Sequence, residues 1–226
     1  MAERITIHLN DTDGVTGLVY GADRRKRRGV TLVLGHGAGA GQTSPFMVGF
    51  AEGLSGRGVD VVTFNFLYTE QGRRAPDVNG KLEACCRAAI EAARGLRRFK
   101  ANHLLIGGKS LGGRIASQVA AAGLENLAGL VFLGYPLHPP GKPEQLRAAH
   151  LPQIQAPMLF AQGARDPFGT PAELRAVIKQ LKLRATVYEV TGGDHSFTVP
   201  KSSPVSQTEV YAAAQDAIAQ WVEGEQ

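Results

Sequence analysis

Short apolar runs alternating with longer helical patterns restrict the fold of this chain more than any other feature. The runs fall at 29–34, 59–64, 103–106, 129–133, 158–162 and 185–190, and each reads as a strand. Strands joined through helices lie parallel, because the crossover carries the chain back to the same end of the sheet. Such a sheet is covered on both faces, so its strands are apolar almost throughout instead of alternating. Helical patterns fill the intervals at 46–57, 81–98, 112–122, 171–181 and 205–222. In the second, Leu82, Cys85, Cys86, Ala89, Ile90 and Ala93 recur at helical spacing and leave Glu83, Arg87, Glu91 and Arg94 outward. Thr170 followed by Pro171 fits an N-cap with proline at the first helical position. Segments 5–9 and 16–20 are expected to pair as an antiparallel hairpin at the sheet edge. The expected class is α/β, a mostly parallel, doubly wound sheet flanked by helices. At 226 residues it fits one domain over 1–226.

The chemistry concentrates in Gly107-Gly108-Lys109-Ser110-Leu111-Gly112-Gly113, which contains G-x-S-x-G directly between a strand and a helical pattern. A serine on such a strand-turn-helix elbow takes a strained backbone conformation that exposes its hydroxyl. Side chains two residues before and two after it would collide, and Gly108 and Gly112 meet that demand. The alternative is a tight glycine turn with an incidental serine. Gly-Lys-Ser also ends a phosphate-binding P-loop, but the first glycine of that motif would fall on His103, inside an apolar strand.

An activated serine needs a base, and on this kind of elbow the chain order is nucleophile, acid, histidine. His8 and His103 lie in strands, and His36, His138 and His150 precede the expected acid. His195, in Gly192-Gly193-Asp194-His195-Ser196-Phe197, lies after the last strand and before the final helix. Asp166, in the loop after the strand at 158–162, is the expected acid, with a turn or capping role as its alternative and Asp194 as the runner-up. Backbone N–H groups of Leu111 and Ala38 are the expected donors to an oxyanion. Gly35, Gly37 and Ala40 loosely match a dinucleotide pattern, but no acid for a ribose follows the next strand, which ends Phe64-Asn65-Phe66.

Hydrophobic residues make up 43% and charged residues 20%, an ordinary composition for a water-soluble chain. No apolar run suits a signal peptide or a membrane span. Cys85 and Cys86 are adjacent in a helical pattern and suggest no disulfide framework, so a cytoplasmic location is expected. Net charge is +5, with much of it in Arg24, Arg25, Lys26, Arg27 and Arg28. That run reads as a solvated hairpin tip between two early strands; without interleaved aromatics it makes a poor nucleic-acid patch. No zinc-ligand spacing appears, and neither metal nor cofactor is expected.

The stretches HGAGAG, FNFLYTEQGRRAPD, GGKSLGGRIAS, GYPLHPPGKPE, QGARDPFG and GGDHSF carry a family resemblance. Over nearly its whole length the chain resembles a compact α/β-hydrolase family that includes bacterial predicted hydrolases and testis-expressed protein 30. That family also includes the hydrolase-like subunit of a chromatin acetyltransferase complex. More distantly the chain is similar to dienelactone-hydrolase-like proteins, which typically carry cysteine where Ser110 stands, so dienelactone cleavage is not expected. The resemblance implies a serine-hydrolase architecture. The expected function is cleavage of an ester, thioester or similar acyl bond in a small-molecule substrate, with no nucleic acid or membrane involved. The competing class is a non-catalytic binding or scaffold protein. Between the strands ending near Leu133 and starting at Met158, six prolines (Pro136, Pro139, Pro140, Pro143, Pro152 and Pro157) discourage a long helix. No cap domain is therefore expected, and the site should be open and bordered by this loop. Arg73, Arg74, Lys109 and Arg165 would favour an anionic substrate if they face its mouth.

Overall fold

A computed structural model describes residues 2–23 and 25–224. Eight strands form one sheet: β1 (Glu3–His8), β2 (Gly14–Tyr20), β3 (Val30–Gly35), β4 (Asp60–Phe64), β5 (His103–Lys109), β6 (Leu127–Leu133), β7 (Met158–Gly163) and β8 (Ala185–Val190). Their spatial order is β1-β2-β4-β3-β5-β6-β7-β8, antiparallel for β1-β2 and β2-β4 and parallel from there on. The helices are α1 (Pro45–Ser55), α2 (Leu67–Glu70), α3 (Asn79–Gly95), α4 (Leu111–Ala121), α5 (Pro171–Leu181) and α6 (Gln207–Gly224). The short α2 carried no periodic signal in the sequence. The pattern expected to run to 98 breaks after Gly95, where the chain turns into a 3-10 segment at Arg97–Phe99.

The central strands are apolar throughout because alternate residues enter two different cores. Leu104, Ile106, Leu130, Phe132, Met158 and Phe160 face one side with α3, α4 and α5. Leu105, Val131, Leu133, Leu159 and Ala161 face the other, with α1 and α6. The six α3 residues expected inward are those that are buried. At α5, Thr170 closes a capping box with Glu173, and Pro171 takes the first helical position.

Two expectations need correcting. The basic run does not sit on a hairpin, because β2 pairs with β4, and β4 separates it from β3. Arg24 lies outside the described residues. Arg27 reaches inward instead, with its Nε 3.0 Å from Oδ2 of the fully buried Asp60. The same carboxylate accepts from Asn102 Nδ2 and Ala22 N, so the run ties the start of β4 to its surroundings. The proline-rich stretch 134–157 contributes no wall to the cleft over Ser110, although Gly134 at its start packs against His195. It folds back on the sheet, burying Tyr135, Leu137, Ala148, Leu151 and Ile154 in the core beside α4. Its only regular element is a 3-10 turn at Leu151–Gln153, so no separate cap domain forms among the described residues.

Candidate active site

The carboxyl ends of β3, β5, β6 and β7 meet at one edge of the sheet, and the chemistry-bearing residues stand there. Ser110 follows β5 directly and opens α4 with φ 49° and ψ −111°, a region β-carbon-bearing residues seldom occupy. The elbow is tight enough that backbone packs on backbone. A β-carbon on Gly108 or Gly112 would run into the carbonyl oxygen of Gly35. The glycine at the end of β3 is thus part of the same device, which the motif alone did not reveal.

His195 Nε2 lies 2.9 Å from Ser110 Oγ, and His195 Nδ1 lies 2.7 Å from Asp166 Oδ2. An ionised Asp166 only accepts, which fixes the proton on Nδ1 and leaves the Nε2 lone pair for the serine hydroxyl. Asp166 is buried; its Oδ1 accepts from Phe168 N at 2.8 Å and its Oδ2 from Gln162 Nε2 at 2.8 Å. The Phe168 ring lies over the imidazole with centroids 4.3 Å apart. Asp194 serves elsewhere: its Oδ1 accepts from Ser196 N and Thr198 N and closes the turn that carries His195. That turn seats against β7, where a β-carbon on Gly163 would strike the Asp194 carbonyl oxygen.

Ala38 and Leu111 flank the serine, and neither backbone N–H donates to another group of the described residues. The loop holding Ala38 is pinned from within. Buried His36 donates from Nδ1 to Gly37 O at 2.8 Å and accepts at Nε2 from Phe66 N at 3.1 Å. Burial lowers its pKa, so the imidazole is held neutral in that tautomer. Tyr68 Oη donates to Ala38 O at 3.2 Å, anchoring the carbonyl of the same residue.

A cleft of about 390 Å³ opens over Ser110 and His195, walled by Gly37, Ala40, Phe46 and Phe168. A second hollow of about 430 Å³ continues from Ala38 and Gly41 toward Tyr68, Arg73 and Arg74. Of the four basic residues that would favour an anionic substrate if they faced the mouth, three have internal partners. Arg73 bonds Asp77, Arg165 bonds the carbonyls of Gly192 and Thr198, and Lys109 bonds the carbonyl of His195. Arg74 lines the hollow and is exposed. A second serine–histidine contact exists, Ser117 Oγ to His150 Nε2 at 2.7 Å, but Ser117 is fully buried inside α4 and out of reach of substrate. Cys85 and Cys86 are free and buried, with burial pushing both thiols up to about 12, so neither serves as a nucleophile. Among the described residues, no group of His, Cys, Asp and Glu is arranged to hold a metal ion, and no helix is long and apolar enough to cross a membrane.

Gln162 and His36 were not assigned site roles from the sequence, Lys109 was read only as a cation that would favour an anionic substrate, and Gly35 only as part of a loose dinucleotide pattern. Only the position of Gln162 at the end of a strand, four residues before Asp166, could have flagged it.

A serine, a histidine and a buried carboxylate in series, on a glycine elbow of a doubly wound sheet, are the hallmark of the α/β-hydrolase class. The chain belongs to the alpha/beta hydrolase domain family, which it matches over residues 28–223, and by that membership it is a hydrolase. It is similar in structure to a lidless α/β serine hydrolase from Xanthomonas campestris, with a TM-score of 0.74 at 19% identity over 97% of this chain and 94% of that one. A dienelactone hydrolase from Anabaena variabilis superposes with a TM-score of 0.71 at 20% identity, covering 99% of this chain and 95% of that one. An esterase from Pyrococcus furiosus gives 0.75 at 15% identity, covering 99% and 91%.

Proposed function

We propose that this protein is a serine hydrolase that cleaves an ester, thioester or related acyl bond of a small-molecule substrate. The single observation that carries this reading is the unbroken hydrogen-bonded series from Ser110 Oγ through His195 to Asp166. Ser110 Oγ attacks the acyl carbon as His195 Nε2 takes its proton, and Asp166 stabilises the imidazolium that forms. The N–H groups of Leu111 and Ala38 receive the developing oxyanion. Collapse breaks the bond to the leaving group, which takes the proton back from His195, and an acyl-serine remains. Water, deprotonated by His195, then attacks that ester and returns Ser110 to its free form. The combination GYPLHPPGKPE followed by QGARDPFG supports a closer kinship with the compact family that includes testis-expressed protein 30. The buried free thiols of Cys85 and Cys86 fit a reducing, cytoplasmic setting.

Covalent labelling tests the reading. An alkyl fluorophosphonate should add once to the wild-type protein and not to Ser110→Ala, as read by intact mass. Ser110→Ala should also lower turnover of an activated ester on the order of 10⁴-fold. A folded wild type that takes no adduct would instead favour a binding protein that keeps the fold without turnover.

A further inference from the structure

We infer that Lys109 is a positioning residue for this reaction, holding the backbone of His195 in place so that the imidazole stays in register with Ser110. This inference rests on the roles proposed above for Ser110, His195 and Asp166. Lysine is ordinarily a surface residue, yet Lys109 is only 7% exposed. Its Nζ donates to the carbonyl oxygen of His195 at 2.6 Å, and the Phe46 ring covers it with its centroid 5.6 Å away. No carboxylate is within ion-pairing distance of it among the described residues, so its burial is not explained by a salt bridge.

The histidine loop itself shows what the ammonium is for. The flanking turn is closed by main-chain bonds from Asp194 to Thr198 and from Phe197 to Asp194. His195 makes no main-chain hydrogen bond among the described residues, and Lys109 supplies the one bond to its backbone. Space for that bond exists because residue 134 is glycine, with φ 67°. A β-carbon there would lie 2.7 Å from His195 O and 3.0 Å from Lys109 Nζ. Three segments therefore converge on one carbonyl: the elbow with its lysine, the end of β6 with its missing side chain, and the loop that carries the base.

The charge on Lys109 is what makes the hold strong, since a hydrogen bond from an ionised donor is roughly twice as strong as a neutral one. Burial is the largest influence on the ammonium and lowers its pKa to about 8, against the opposing pull of Asp166 and Asp194 from beyond contact distance. The groups facing it are thus Asp166 from the β7–α5 connection, Asp194 and His195 from the loop, Ser110 beside it and the Phe46 ring from α1. Raising the pH through 8 removes the charge and weakens the hold on His195.

The test uses an uncharged alkyl fluorophosphonate, so that loss of an ionic contact to the probe cannot register. Labelling rates of wild type and Lys109→Met are measured from pH 6.5 to 9.5, with the melting temperature followed over the same range. At pH 7 Lys109→Met should label about 10- to 100-fold more slowly, the cost of a base displaced by a fraction of an ångström to about an ångström. The wild-type rate should fall above pH 8 toward that of the variant, whose own rate does not fall. A lysine with a merely structural role would change the melting temperature and leave the shape of the pH profile alone. Rates within threefold at pH 7, or two profiles of the same shape, overturn the inference. Should Lys109→Met not fold, the wild-type profile decides, because a folded protein with no fall above pH 8 is incompatible with the proposal. A wild type that does not label, or that labels equally in Ser110→Ala, overturns the serine reading and this inference with it. Labelling that Ser110→Ala abolishes but Lys109→Met leaves unchanged removes only the role of the lysine.

Discussion

Gln162 Nε2 donates at 2.8 Å to the same Asp166 oxygen that accepts from His195 Nδ1. The glutamine is fully buried at the end of β7, and its Nε2 also lies 2.7 Å from Gly169 O while its Oε1 accepts from Tyr135 N at 2.8 Å. It thereby fixes the carboxylate, the loop leading to α5 and the start of the 134–157 stretch at once. Gln162→Met keeps the volume but leaves Tyr135 N and Gly169 O buried without partners. Each orphaned group costs about 1–3 kcal/mol, so urea unfolding should show a loss of several kcal/mol. Ester turnover, measured where the variant is still folded, should fall at least tenfold as Asp166 loses its orientation. A variant as stable and active as wild type would show that the glutamine is incidental.

Ser110 sits at φ 49° for the sake of its hydroxyl and not for stability. Ser110→Gly removes the steric conflict at that backbone conformation, which is worth about 1–3 kcal/mol, and removes the nucleophile with it. The melting temperature should rise by several degrees while fluorophosphonate labelling disappears. A drop in melting temperature would mean that the elbow is not strained.

Lys109 links stability to pH in a defined direction. Its folded pKa of about 8 lies below the ordinary lysine value of 10.5, so between those two points the unfolded chain binds more protons than the folded one. Stability from this group therefore rises with pH across that window and is lowest below pH 8, where the folded protein carries the buried charge. Between pH 7 and 9.5 wild type should gain about 2 kcal/mol relative to Lys109→Met, in which tyrosine and cysteine titrations cancel. Chemical denaturation of both proteins at the two pH values measures it, and a gain of zero or of opposite sign contradicts the burial of an ammonium.

Substrate size follows from the cleft. Its volume of about 390 Å³ is walled by Phe46, Phe168 and the Gly37–Ala40 loop, and among the described residues no cap covers it. A longer acyl chain would extend into solvent and gain little of the roughly 0.8 kcal/mol that each buried methylene can contribute. In a series of p-nitrophenyl esters, kcat/KM should peak at short acyl groups and level off or decline with length. A steady rise to long chains would reveal an acyl pocket that the described residues do not display.

The local sequence was enough to identify the pieces, because each rule behind them acts within a few residues. Strand and helix periods, the Thr170-Pro171 helix start and the glycines around Ser110 are dictated by backbone sterics and by which faces meet the core. The choice of Ser110, His195 and Asp166 came from residue type and chain order, and tertiary structure brings the three together across 85 and 29 residues of separation. Where those residues meet other segments, sequence order carries no such information. That β4 inserts between β2 and β3, that 134–157 packs inward instead of rimming the cleft, and that Arg27 serves buried Asp60 depend on which surfaces find each other in space. The same holds at the site. Lys109 reads as one more surface cation beside a motif, and Gln162 as an ordinary strand end. Their partners are the carbonyl of His195 and the carboxylate of Asp166, and only the packed sheet edge sets the distances and the burial that give either contact its strength.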